Sequence, residues 1–153
     1  MKTVQDVLYK VSVEGVLGTT SNAVSGIYFD SRDVRIDSLY VAQKGELFDG
    51  HDFICQAINN GAKTIVCEEF PIVLVDEIVY VLVLNSSEAL GTIASNFYDN
   101  PSEKMILVGV TGTNGKTTIA TLLYELFLRE GFITGLLSTV KIAYGRKKFE
   151  NHH

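Results

Sequence analysis

The ten residues Gly109-Val110-Thr111-Gly112-Thr113-Asn114-Gly115-Lys116-Thr117-Thr118 constrain this chain more than any other stretch. They follow an apolar run, Met105 to Val108, and open a helical pattern from Thr117 to Glu130. Strand, glycine loop, Lys-Thr and helix is the layout of a phosphate-binding loop. A helix N-terminus leaves backbone N–H groups without partners, and its dipole favours negative charge there. Glycines let the backbone curl close around a phosphate. Lys116 reaches terminal phosphates as a point charge, and the Thr117 hydroxyl suits Mg²⁺, which prefers oxygen ligands. The strict pattern asks for glycine at Val110; the glycine stands one residue earlier, at Gly109. An ordinary glycine turn capping a core helix leaves Lys116-Thr117-Thr118 unexplained.

Charge is uneven along the 153 residues. Residues 1–104 carry 7 Lys+Arg against 15 Asp+Glu, net −8, and residues 105–153 carry 6 against 3, net +3. The acidic first part argues against nucleic acid as a main partner, because a phosphate backbone needs a basic surface. Cys55 and Cys67 form no Cys-x-x-Cys pair, and no His/Cys cluster has metal spacing, so both are expected as buried, reduced thiols. No signal peptide is visible, and the longest strongly apolar stretch, Ile78 to Leu84, falls far short of the roughly 20 residues that cross a bilayer. A soluble, cytoplasmic protein without membrane contact is expected.

The pattern predicts α/β structure throughout. Val4, Val7, Leu8 and Val11 predict a helix over 3–11, with Thr3 and Asp6 as its capping box. Extended segments follow at 14–19 and 26–30, then the polar corner Asp30-Ser31-Arg32-Asp33 and a strand over 39–42. Gly45 to Gly50 is a loop with an exposed Phe48. Asp49 is expected to cap a helix burying Phe53, Ile54, Ala57 and Ile58 and ending at Asn60-Gly61. Strands are predicted at 63–67, briefly at 72–75, and at 79–84, where the β-branched run reads as buried. Asn85 is expected to cap a helix over 86–98. The polar, Pro-containing segment 99–104 is the expected linker between a domain over 1–98 and a second over 105–153. The second restarts as strand 105–110, loop, helix 117–130, a stop at Gly131 and strand 134–138: one βαβ unit, expected to be parallel. A hairpin turning at Gly145-Arg146 follows. A nucleotide-binding sheet usually has more strands than this, so the chain is expected to be part of a longer protein.

Two stretches together resemble a known family. Thr111-Gly112-Thr113-Asn114-Gly115-Lys116-Thr117-Thr118 resembles the ATP loop of the Mur ligases and the related folylpolyglutamate synthetases. Asp30-Ser31-Arg32, Leu39 to Ala42, Gly45, Asp49-Gly50-His51-Asp52-Phe53-Ile54, Ala57-Ile58 and Gly61-Ala62 resemble the first domain of the Mur branches that add the third residue or the terminal dipeptide of the stem peptide. Folate-type enzymes lack that domain. Thr113 and the Gly135-Leu136-Leu137-Ser138-Thr139 segment resemble the third-residue branch, the MurE type, more than the MurF type, which usually has Ser at the position of Thr113. In this family Val110 is the normal residue at the missing glycine.

The resemblance implies an ATP-dependent ligase of peptidoglycan precursor synthesis, joining meso-diaminopimelate or L-lysine to UDP-MurNAc-L-Ala-D-Glu through an acyl phosphate. It implies that residues 1–98 hold the UDP substrate, with Ser31 in contact, and that Asp30 and Arg32 fix the corner. It also places Glu46-Leu47-Phe48 near the uridine. ATP is expected on Gly112, Thr113, Asn114, Gly115, Lys116, Thr117 and Thr118, with Lys116 catalytic and Thr117 the Mg²⁺ ligand. Further Mg²⁺ ligands, a carbamylated lysine and the site for the incoming amino acid are implied beyond His153, so the chain alone is expected to be inactive. The competing readings are a MurF-type dipeptide-adding ligase and a non-catalytic UDP-sugar or nucleotide-binding module.

Overall fold

The computed structural model describes residues 1–45, 48–145 and 147–149. They fold as two compact units, Met1–Met105 and Ile106–His153. The first runs β1 (Lys2–Thr3), α1 (Val4–Val7), β2 (Val13–Leu17), β3 (Ala23–Val24), β4 (Ile27–Tyr28), β5 (Ser38–Val41), α2 (Ile54–Asn59), β6 (Ala62–Cys67), β7 (Val79–Val83) and α3 (Ser86–Phe97). The main sheet has the order β2-β7-β6-β5-β4. Strands β4 to β7 are parallel, and β2 joins β7 antiparallel. β1 and β3 form a separate two-stranded ribbon.

Alternation along the strands decides the layers, because successive side chains point to opposite faces. Leu39, Val41, Val66, Val79, Val81 and Val83 pack under α1 and α3 with Val4, Val7, Ala89 and Ile93. Tyr40, Ala42, Ile65, Cys67, Ile78 and Tyr80 pack on the other face, with Ile54 and Ala57 of α2. A sheet covered on both faces needs apolar residues at every position, and this is why β5, β6 and β7 read as continuous apolar runs. Asn96 of α3 ties the layer to the end of α1, its amide donating to Val7 O at 2.9 Å and Tyr9 O at 2.6 Å.

Several expectations change in detail. The Thr3/Asp6 capping box forms, but α1 is a single turn; Lys10, at φ +60, turns the chain away before Val11. Asp49 caps a 3-10 turn, Gly50–Phe53, and α2 starts only at Ile54, which leaves Phe53 exposed and Ile58 half-buried. Gly61, at φ +112, follows Asn60; a Cβ there would meet the Ile36 backbone at 2.8 Å, so only glycine fits. Residues 72–75 form no strand and are exposed, because no neighbouring strand offers them a ladder. Cys67 is buried, but Cys55 lies on the outward side of α2 and is exposed.

The second unit holds α4 (Lys116–Arg129), β8 (Gly135–Leu137), β9 (Ile142–Tyr144) and β10 (Lys147–Phe149). Gly131, at φ +88, ends α4: Gly131 N–H donates to Leu128 O and Phe132 N–H to Phe127 O, with the Phe127 and Phe132 rings edge to face. Residues 106–110 are not a strand; no described residue pairs with them, and Ile106 is 94% exposed. The expected parallel βαβ pairing is therefore not formed among the described residues. β8 instead pairs antiparallel with β9, across a short connection closed by Ser138 N–H donating to Lys141 O. Closing so short a loop costs little entropy. β9 and β10 make the expected hairpin. Arg146, Glu46, Leu47, His152 and His153 lie outside the described residues. Among the described residues no helix is long and apolar enough to cross a membrane.

Candidate functional site

In the second unit, residues 112–115 form the bend that opens α4. Gly112 and Gly115 hold φ +142 and +78, a region where a side chain is strained; Gly109 holds no such angle and has open space around it. The first-turn N–H groups of this 14-residue helix receive no side-chain cap. That leaves donors and the positive dipole end facing outward, the requirement for an anion. Lys116 Nζ arches over the loop, donating to Gly112 O at 2.6 Å and Thr113 O at 3.3 Å. Its charge is thus held above the loop. Thr113, Asn114 and Thr118 are exposed and Thr117 is half-buried, its carbonyl accepting from Thr121 Oγ1 at 2.7 Å. Of the seven predicted residues, Gly112 to Gly115 form the bend and Lys116, Thr117 and Thr118 are the first three of α4.

In the first unit the carboxyl ends of the parallel strands share one edge, the usual place for a ligand in such a sheet. β4 ends there at the corner Asp30-Ser31-Arg32, β5 at Ala42-Gln43-Lys44, β6 at Glu68 and β7 at Asn85-Ser86. Arg32 folds onto Asp30, with Nε donating at 2.9 and 3.2 Å and the terminal nitrogen at 2.5 Å. The Arg32 side chain and then its backbone N–H pull the Asp30 carboxyl down to about 2. Asp30 and Arg32 thus fix the corner. Ser31 is only 5% exposed. Its hydroxyl donates to Gln56 Oε1 at 2.8 Å, and its carbonyl accepts from Asn60 Nδ2 at 2.8 Å. The hydroxyl oxygen retains acceptor capacity.

Sequence reasoning assigned no contact at this corner to Gln56, Asn60, His51 or Glu68. Gln56 of α2 and Asn60, which caps the end of that helix, hold Ser31. His51 Nδ1 lies 2.6 Å from Asp49 Oδ1, and His51 Nε2 accepts from Glu68 N–H at 2.9 Å. Glu68 Oε1 accepts from both Ser86 N–H and Ser86 Oγ at 2.8 Å, alongside the Asn85 cap on Glu88 N–H. Hydrogen bonds from His51 hold the Asp49 carboxyl below its ordinary range, and those from Ser86 do the same for Glu68. Burial pushes the Tyr40 hydroxyl up to about 12 while it donates to Gly50 O. Burial also raises the Cys67 thiol to about 11, so that sulfur is inert. Among the described residues no group of three His, Cys, Asp or Glu is placed to hold a metal.

Residues 23–98 match the family model described as Mur ligase family, catalytic domain, and residues 110–153 match the Mur ligase middle domain. The UDP-N-acetylmuramoyl-L-alanyl-D-glutamate--2,6-diaminopimelate ligase of Cytophaga hutchinsonii is 53% identical over 139 residues, 90% of this chain and 29% of its own length. The protein of the same name from Phocaeicola vulgatus is 45% identical over 136 residues, 89% of this chain and 28% of its own. The chain thus spans less than a third of the length of these relatives. Among solved structures, MurF ligase from Thermotoga maritima in complex with ADP superposes with a TM-score of 0.52 at 36% identity, covering 68% of this chain and 23% of that one. A UDP-N-acetylmuramoyl-L-alanyl-D-glutamate--2,6-diaminopimelate ligase structure shares the fold, with a TM-score of 0.69 at 18% identity over 96% of this chain and 29% of that one. Two models of one family match successive parts of the chain, and its folded units resemble solved members; the chain belongs to the Mur ligase family.

Proposed function

We propose that the protein carrying these residues is the ATP-dependent ligase that adds the third residue of the stem peptide to UDP-MurNAc-L-Ala-D-Glu. The observation that carries this reading is the uncapped N-terminus of α4 beneath a glycine bend, with Lys116 held over it. In this reading residues 1–98 are the UDP-substrate domain, 99–104 the linker and 105–153 the start of the ATP-binding domain. Backbone N–H groups of Gly112 to Gly115, with Thr113, Asn114, Thr117 and Thr118, hold the ATP phosphates. Lys116 neutralises charge as the γ-phosphoryl leaves ADP and bonds to a substrate carboxylate oxygen. The amine then attacks the acyl carbonyl, the amide forms, and phosphate departs with the bonding electrons while the amine loses its proton. The Thr117 hydroxyl fits Mg²⁺, which prefers oxygen ligands, keeps several waters and, when bound, spreads the phosphate charge. Ser31 accepts from, or is reoriented toward, the UDP moiety at the sheet edge.

The relatives' names favour diaminopimelate over lysine as the incoming amino acid. Incubating the full-length gene product with UDP-MurNAc-L-Ala-D-Glu, ATP and either amino acid, and weighing the product, tests the proposal. A UDP-tripeptide containing diaminopimelate is expected. Addition of a dipeptide to an already formed tripeptide would assign the MurF reaction, and substrate binding with no new amide would leave a binding module.

A further inference from the structure

We infer that His51 is a positioning residue for the UDP-substrate edge, acting as a neutral clamp that opens when its ring is protonated. The inference rests on the proposed role of that edge. Its basis is the hydrogen-bond polarity around the ring. Glu68 N–H is a fixed donor, so Nε2, 2.9 Å away, must carry a lone pair. The proton of the neutral ring is then on Nδ1, facing the Asp49 carboxylate at 2.6 Å. One tautomer satisfies both contacts, and the doubly protonated ring satisfies only one of them.

What the clamp joins is the edge itself. Asp49 pairs with Lys44 across the base of the loop that follows β5. Gly50 N–H closes that base on Gln43 O at 2.7 Å, where a Cβ at Gly50 would meet the Gln43 backbone at 2.7 Å. Gln43 in turn donates to Ser87 Oγ at 3.1 Å. On the other side of the ring, Glu68 ends β6 and holds the N-terminus of α3 through Ser86. His51 therefore couples the ends of β5 and β6 to α3. Protonation puts a donor against Glu68 N–H, and the bond across the edge is lost.

The charged and titratable groups around the ring are Asp49 on its own segment, Glu68 at the end of β6, Lys44 after β5 with its partner Glu69 at 3.7 Å, and the Tyr40 hydroxyl on Gly50 O. Asp49 and Glu68, both held below the ordinary carboxylate range, stay ionised while histidines charge, and burial pushes the Tyr40 hydroxyl far above that interval. The substrate's diphosphate, esterified at both ends, keeps its charge over the same interval. The part of any change in binding between pH 5 and 8 that disappears in His51→Gln is accordingly the part due to this ring, since the chain also carries His152 and His153.

The test uses the 153-residue chain and its His51→Gln and His51→Leu variants. Gln places an acceptor near the Nε2 position and does not titrate; Leu offers none. Calorimetric titration with UDP-MurNAc-L-Ala-D-Glu should show wild-type affinity falling about three- to tenfold as pH drops through the histidine range, the size of one neutral hydrogen bond. His51→Gln should hold the high-pH affinity at every pH, and His51→Leu should be weak throughout. The protection of the Glu68 amide against hydrogen exchange, taken relative to the intrinsic rate at each pH and read without ligand, should fall at low pH in wild type but not in His51→Gln. Long-range ¹⁵N spectra should place the neutral ring's proton on Nδ1. A proton on Nε2, or parallel pH profiles for wild type and His51→Gln, overturns the inference while leaving the site reading intact. Normal Glu68 exchange behaviour with no substrate binding at any pH overturns the site reading and, with it, the positioning role.

Discussion

Asp30 is held ionised by Arg32, and the consequence for stability has a definite sign. Its carboxyl titrates near 2 in the folded chain, below the ordinary aspartate value of about 3.9. A depressed carboxylate contributes stability that is complete above the unfolded value and is lost as pH falls through the folded one. Thermal melts of the chain should therefore lose stability from about pH 4 down to about 2. Asp30→Asn should flatten that limb and lower stability at neutral pH by less than about 1 kcal/mol, the pair being partly exposed. An acid limb unchanged in Asp30→Asn would assign the loss to other carboxylates. At this scale the sequence was informative wherever chemistry is local. Gly112, Gly115, Lys116 and Thr117 are legible because one bend brings neighbours together. The support of Ser31 was not, since Gln56 and Asn60 lie 25 and 29 positions along the chain. Ser31→Ala should weaken UDP-substrate binding several-fold in calorimetry with the ATP loop unaffected; full affinity would remove Ser31 from the site.

Elements follow from pattern only where a partner exists to receive them. The continuous apolar runs of β5, β6 and β7 announced a sheet buried on both faces, and the structure covers both. Residues 72–75 and 106–110 are equally apolar, yet neither carries a ladder, because apolarity alone does not supply a neighbouring edge. Helix α3 was legible end to end, from the Asn85 cap to Phe97. Asn85→Ala should cost about 1 kcal/mol in denaturant unfolding through the freed Glu88 N–H. Ile93→Ala, deleting a fully buried side chain, should cost about 2–5 kcal/mol. Leu122→Ala, on the exposed side of α4, should change stability by less than about 0.5 kcal/mol. A large effect at Leu122 would mean that this face of α4 is covered in solution.

The two units divide the proposed reaction between them: one edge for the UDP substrate, one helix N-terminus for the ATP phosphates. The change of charge balance near residue 104, from net −8 to net +3, marks the boundary between the two parts but does not by itself assign a ligand to either. No cluster of carboxylates joins Thr117 among the described residues, and the chain spans less than a third of the length of its curated relatives. The 153-residue chain by itself should accordingly bind the UDP substrate but form no amide, and ligation by it alone would contradict the division. The most direct measurement of the central claim is phosphate release from ATP by the full-length gene product, with each substrate withheld in turn. The account predicts stoichiometric release only when UDP-MurNAc-L-Ala-D-Glu and diaminopimelate are both present, and none from Lys116→Ala, which should still bind the UDP substrate. Release independent of the UDP substrate, or undiminished in Lys116→Ala, would contradict it.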